Sequence, residues 1–150
     1  MPQSLSQVIL HIIFSTKNRE PWIHADVRPR LHAYLATVGR DNGSEVYRVG
    51  GVADHVHLVA TLSRTVTQAV LLEEIKKHSS RWMKEIDPKY AGFSWQRGYG
   101  AFSVSRSQLE AVMAYVEGQE EHHQKTTFQD EYRSFLKKHG IEFDERYVWD

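Results

Sequence analysis

The stretch Asp54-His55-Val56-His57-Leu58-Val59 constrains this chain more than any other. It sets two histidines one residue apart inside an apolar run, just after the pair Gly50-Gly51. Successive side chains of a strand alternate between faces, so His55 and His57 point one way while Val56 and Leu58 point the other. Two imidazoles then stand side by side on one sheet face, which is what two ligands of one metal ion need. A single strand histidine is more often packed or half-exposed than a ligand, and the pair lacks the third and fourth donors of a site. The rest of the chain has to supply them.

At 150 residues the chain is long enough for one domain with a real core. Its 41% hydrophobic and 25% charged content is that of an ordinary globular protein. There is no cysteine, which excludes disulfides, thiolate zinc sites and cysteine nucleophiles, so any metal must be held by nitrogen and oxygen. No apolar run approaches the roughly 20 residues that span a bilayer. Met1-Pro2-Gln3-Ser4 does not begin an export signal. The expectation is a cytoplasmic protein with no membrane partner. The formal net charge of zero means that phosphate binding would have to come from local patches. Nine histidines keep metal and acid–base chemistry in play.

The order of elements gives the fold. Val8 to Phe14 is a continuous apolar run, the mark of a central strand buried on both faces. Asp26 is a candidate N-cap for a helix to about Val38, with Val27, Leu31, Tyr34, Leu35 and Val38 at helical spacing. Glu45 to Val49 and Val52 to Leu62 read as a hairpin turning at Gly50-Gly51. Thr67 opens a helix that Asp87-Pro88 stops after Ile86, and Ala101 to Ser105 is a fourth strand. Ser107 and Glu110 form a candidate capping box for a third helix. The pattern β-α-β-β-α-β predicts an α+β, ferredoxin-like split βαβ sandwich, a four-stranded antiparallel sheet with two helices on one face. Val56 and Leu58 should face those helices, leaving the histidines on the open face for the third helix to cover. Residues 1–126 form the domain, and 127–150 form an amphipathic tail that docks on it or on a partner subunit.

Leu109, Val112, Met113 and Val116 form the packing stripe of the third helix, with Tyr115, Gln119 and His122 beside it. A tyrosine four residues before a glutamine presents a phenol and an amide oxygen on adjacent turns. If this helix lies over the open sheet face, Gln119 can approach the histidines as a third ligand and leave Tyr115 close by. A boundary tyrosine on an amphipathic helix also serves as plain packing.

With its His55-Val56-His57 pair followed by the helix Tyr115-Val116-Glu117-Gly118-Gln119, the chain resembles the single-tyrosine (HUH) transposases of the IS200/IS605 class, including the REP-associated tyrosine transposases. The resemblance extends over Thr16-Lys17-Asn18-Arg19, Gly98 to Ser105 and the Phe128 to Trp149 tail. Gly118 stands where the family more often has a better helix former. The resemblance implies that His55, His57 and Gln119 bind a divalent ion, Mg²⁺ or Mn²⁺, and that Tyr115 is the nucleophile. No nucleotide cofactor is implied. Single-stranded DNA with hairpin-containing element ends is the implied substrate, a homodimer the implied assembly. A free tyrosine has a pKa near 10, so the metal or a nearby group, His122 being one candidate, must assist its deprotonation.

Lys17, Arg19, Lys76, Lys77, Arg81, Lys84, Arg97 and Arg106 are candidates for phosphate contacts, with Trp95, Tyr99 and Phe102 as stacking platforms for bases. A histidine-triad hydrolase is excluded because its third histidine position is Val59. A replication-initiator or relaxase nicking domain shares the motif, but such proteins usually carry further domains. A non-catalytic, domesticated nucleic-acid-binding module is the rival from a different class. Retention of His55, His57, Tyr115 and Gln119 weighs against it.

Overall fold

The computed structural model describes residues 2–150. Its strands are β1 (Ile9–Ser15), β2 (Val46–Gly51), β3 (His55–Thr61) and β4 (Gly100–Val104). They form one antiparallel sheet in the order β2-β3-β1-β4. Helices α1 (Arg28–Asp41) and α2 (Gln68–Ile86) connect β1 to β2 and β3 to β4, which is the expected ferredoxin-like arrangement. Three helices follow: α3 (Leu109–Glu117), α4 (Gln119–His122) and α5 (Phe128–Lys138).

The first sheet face is apolar. Leu10, Ile12 and Phe14 of β1 and Val56 and Leu58 of β3 pack on Leu31, Leu35 and Val38 of α1 and on Leu71, Leu72, Ile75 and Met83 of α2. Each such side chain removed from water is worth about 1.5–3 kcal/mol, so this layer carries most of the fold's stability. The hydroxyl of Thr67 caps α2 by accepting from the Val70 amide at 3.1 Å.

The opposite face carries the histidines, and two helices rather than one cover it. Over β3, α3 packs Leu109 and Val116 on Ile9 and Val59. Over β1 and β4, α5 lays Phe128, Tyr132 and Leu136 on Ile13 and Phe102. Both helices need a strand position without a side chain. A Cβ on Gly50 would collide with the Val116 carbonyl oxygen, and one on Gly100 would lie 2.7 Å from the Tyr132 ring. No side chain other than hydrogen lets the helices approach so closely.

Several expected boundaries are corrected. Asp26 does not cap α1, which starts at Arg28 with Pro29 in its first turn, where a missing N–H costs nothing. The helix runs past Gly39 to Asp41, because Gly39 gives way to Val46 rather than stopping the chain. Gly50 and Gly51 are strand residues paired with His57 and Val56, so the hairpin turns at Val52 to Asp54 and β3 begins only at His55. The Ser107–Glu110 capping box does not form: residues 106–108 make a single 3₁₀ turn and the Ser107 hydroxyl pairs with that of Ser105 at 3.1 Å. At Gly118, with ψ near 17°, the anticipated single third helix breaks into α3 and α4.

Candidate active site

Strand alternation puts His55 and His57 on the face beneath α3 and α5, both fully buried. Asp54 directs Oδ1 to within 2.8 Å of His55 Nδ1. A carboxylate beside Nδ1 keeps the proton there, which turns Nε2 into the site as a ligand atom. That Nε2 lies 3.2 Å from Gln119 Oε1. The amide nitrogen of Gln119 donates to the Tyr115 carbonyl at 3.2 Å, one helical turn back, and so fixes which end of the amide faces the histidine. His57 offers Nδ1 to His11 Nε2 at 2.8 Å, across from β1.

At the centre stands a residue of the tail. Glu131 of α5 is buried, and its Oε1 lies 3.0 Å from His57 Nε2, 3.4 Å from His55 Nε2 and 3.1 Å from His123 Nε2. Its Oε2 accepts the hydroxyl hydrogen bond of Tyr115 and is 3.2 Å from His122 Nε2. The Tyr115 hydroxyl is also 3.2 Å from His122 Nε2. His55, His57, Gln119, Tyr115 and His122 are therefore gathered in one place. His11, His123 and Glu131 are there too, and the sequence did not single them out.

The electrostatics follow from burial and from this carboxylate. Burial alone would raise the Glu131 carboxyl, but the imidazoles of His123, His55 and His57 outweigh it and hold the group far below the usual carboxylate range. Burial, reinforced by the Glu131 carboxylate, pushes Tyr115 above its ordinary value. Burial also pulls His57 down to about 4, against the opposing pull of Glu131, and with His57 it brings His11 down to about 3. His55 goes the other way, to about 9, because its bonds to Asp54 and Glu131 outweigh burial.

These donors suit a divalent cation. One ligand atom from each of His55, His57, His123 and Glu131 falls within 4.8 Å of all the others. A cation between them would be held by imidazole nitrogens and a carboxylate oxygen, the donors such ions take.

Residues 4–119 match the family model described as transposase, IS200-like. The chain belongs to the IS200-like transposase family. It is 29% identical over 120 residues to the ISDra2 transposase TnpA of Deinococcus radiodurans, a match that covers 75% of this chain and 84% of that relative. A candidate transposase from Deinococcus radiodurans R1 has the same fold, with a TM-score of 0.62 and 23% identity over 79% of this chain and 98% of its own. So has a REP-associated tyrosine transposase bound to a REP hairpin, with a TM-score of 0.56 and 16% identity over 77% and 68%.

The family match of this transposase ends at Gln119, so His123 and Glu131 come from outside it. A signal for Glu131 was present in the sequence. It is the lone acid in the stripe Phe128, Glu131, Tyr132, Phe135, Leu136, at the spacing of a buried helix face.

The proposed DNA-contacting residues divide sharply. Lys17 and Arg97 line a groove of about 450 Å³ with Trp149 and Asp150, and the Arg19 guanidinium lies 5.8 Å from the Trp149 ring. Arg81, Lys84 and Arg106 are exposed. Lys76, by contrast, donates to the carbonyls of Gln96, Arg97 and Gly98 at 2.9, 3.1 and 2.6 Å, so it clamps the loop before β4 instead of standing free for a phosphate. Lys77 is paired with Glu74, and the Tyr99 hydroxyl accepts from Gln68. Trp95 and Phe102 are core residues, closed to a stacking base. No helix among the described residues is long and apolar enough to cross a membrane.

Proposed function

We propose that this transposase cleaves and rejoins single-stranded DNA through Tyr115, using a divalent cation held by His55, His57 and Gln119. The observation that carries this reading is the convergence of the Tyr115 hydroxyl and the two Nε2 atoms on opposite oxygens of one carboxylate. The phenol and the paired imidazoles come together within this one chain, which supports a site that one subunit can build. A homodimer in the cytoplasm would carry two such sites.

Tyr115 attacks the scissile phosphorus, forming the phenolic O–P bond as the P–O3′ bond breaks. The products are a 5′-phosphotyrosine and a 3′-hydroxyl that takes up a proton. A second 3′-hydroxyl reverses the step and joins new ends, with no nucleotide cofactor. When bound, Mg²⁺ or Mn²⁺ supplies charge neutralisation at the phosphate oxygens. The chain itself orients the phenol through Glu131, whose Oε2 receives the hydroxyl's hydrogen bond, and His122, 3.2 Å from both oxygens, would take the proton on when the phenol attacks. Lys17, Arg19 and Arg97 form a cationic edge for the strand's phosphates, with Arg81, Lys84 and Arg106 as outlying contacts. The likeness to a hairpin-bound transposase supports element ends with hairpin structure as the substrate.

The test is incubation of the protein with labelled single-stranded oligonucleotides from its genomic flanks in the presence of Mn²⁺. A covalent adduct that survives denaturation and vanishes in Tyr115→Phe is the expected result. Absence of an adduct with every flank would favour the non-catalytic binding module.

A further inference from the structure

The metal donors inferred so far come from the family-like segment, yet the buried carboxylate that touches all three inward imidazoles lies beyond it. We propose that His123 and Glu131 are ligands of the same cation as His55 and His57, and that the second oxygen of Glu131 ties this ion to the Tyr115 hydroxyl. The inference deepens the transposase reading and rests on it only for the role of Tyr115.

Hydrogen bonding at His123 carries the first part. Its Nδ1 lies 2.8 Å from the Thr126 carbonyl oxygen, which can only accept, so Nδ1 holds the proton. The Nε2 of the neutral ring is then a lone pair. It is buried, has no hydrogen-bond partner, and is aimed at Glu131 Oε1 3.1 Å away. His55 turns the same atom inward, with Asp54 at Nδ1 and with Nε2 facing the oxygens of Gln119 and Glu131; a cation bound there would displace the proton these oxygens hold on it. At His123 a lone pair faces the Glu131 carboxylate in a buried space, which is costly, and a cation between them removes the conflict.

The second part rests on how one carboxylate is divided. Oε1 faces the three imidazoles and Oε2 receives the Tyr115 hydroxyl, so the position of the phenol is coupled to the ligand set through a single rigid group. Glu131 is thus a ligand and a positioning residue at once. Its helix is held to the sheet by Phe128, Tyr132 and Leu136.

The donor set also revises the expected ion. Three imidazoles, one carboxylate and the Gln119 amide oxygen suit Mn²⁺, Co²⁺ or Zn²⁺, whereas Mg²⁺ prefers oxygen ligands and keeps its waters. The site should therefore select a first-row transition ion over Mg²⁺.

Cobalt titration of the full chain without DNA tests this, read by visible absorption, with melting of each metal-free variant as the folding control. The unaltered protein should give ligand-field bands that a large excess of Mg²⁺ does not abolish. Glu131→Gln, which keeps the side chain's shape, and His123→Gln, at a partly exposed position, should each raise the Co²⁺ Kd by about 10- to 100-fold or more. Equal affinity of both variants and the unaltered protein would overturn the ligand assignment. Displacement of cobalt by an equal concentration of Mg²⁺ would overturn the selectivity. The phosphotyrosine assay separates the two readings. An adduct dependent on Tyr115 together with unchanged cobalt affinity in both variants sinks this inference alone. Weakened cobalt binding without any adduct sinks only the cleavage reading.

Discussion

The two faces of the sheet are made by the same strands and could hardly differ more. On one, Ile12, Phe14, Val56 and Leu58 pack in an apolar cluster with side chains of α1 and α2. On the other, His11, His55 and His57 meet Gln119, His123 and Glu131 from the later helices. The period of two in β3 separates stability from chemistry by a single residue step. The apolar face tolerates no missing volume, because its packing is what holds the strands in register. The polar face instead depends on how closely helices can approach, which is why glycines stand at positions 50 and 100.

Truncation on each face should break this comparison if it is wrong. Leu58→Ala removes a fully buried side chain from the α1/α2 layer and should cost about 2–5 kcal/mol in chemical denaturation. Its cobalt affinity, measured well below the new midpoint, should stay close to that of the unaltered protein. A comparable loss of metal binding in Leu58→Ala would mean that the two faces are not separable.

Gly50→Ala comes next. The new methyl meets the backbone of Val116 rather than a movable side chain, so either β2 or α3 must shift. Overpacking of this kind costs about 1–3 kcal/mol. Tyr115 is adjacent to Val116, so the displacement should also slow formation of the covalent adduct. A variant of lower stability with full adduct yield would show that the phenol's position does not depend on how α3 seats on the strand.

The two faces were also unequally legible in the sequence. The apolar face follows from periodicity and caps: alternation in β3, the helix opened by Thr67 and its stop at Asp87-Pro88 all hold in the structure. On the polar face, the partnership of His55, Gln119 and Tyr115 followed from a motif and helical geometry. What escaped was whatever depends on long-range register. His11 sits in an apolar run, and only the β1–β3 pairing brings it beside His57. Glu131 lies 74 residues from His57, on a tail whose docking site no local pattern specifies. Two helix starts failed for a local reason, because Pro29 and the 3₁₀ turn at residues 106–108 override the capping preferences of Asp26 and Ser107.

A smaller effect should come from behind the ligands. Asp54 touches the site only through His55 Nδ1 and is itself partly exposed, so Asp54→Ala leaves both cores intact. Losing the carboxylate frees the imidazole to rotate or to change tautomer, which should weaken Co²⁺ binding by about tenfold or more with little change in the melting temperature. Unaltered affinity would mean that packing alone orients His55.

The faces meet at one seam, and the last prediction concerns it. Arg28 at the start of α1 pairs with Glu120 of α4 at 2.9 Å, around the edge of the sheet. One turn along α1, His32 has a buried Nε2 without a hydrogen-bond partner, and burial together with the Arg28 cation lowers its pKa to about 4, with Glu120 opposing. The unfolded chain takes up this proton near the ordinary histidine pKa of about 6.5, the folded chain only near 4. Between those values the unfolded state binds more protons, so the stability His32 permits at neutral pH is lost as pH falls through the window. His11 and His57 act in the same direction, while His55, with its raised pKa, contributes stability that is lost instead as pH rises toward 9. His32→Gln cannot take up the proton, so its melting temperature should fall less than that of the unaltered protein between pH 7 and pH 4.5. The difference should be on the order of 1 kcal/mol once partial exposure screens it. Identical slopes for the two proteins would place the acid sensitivity wholly on the histidine face and remove the seam from the comparison.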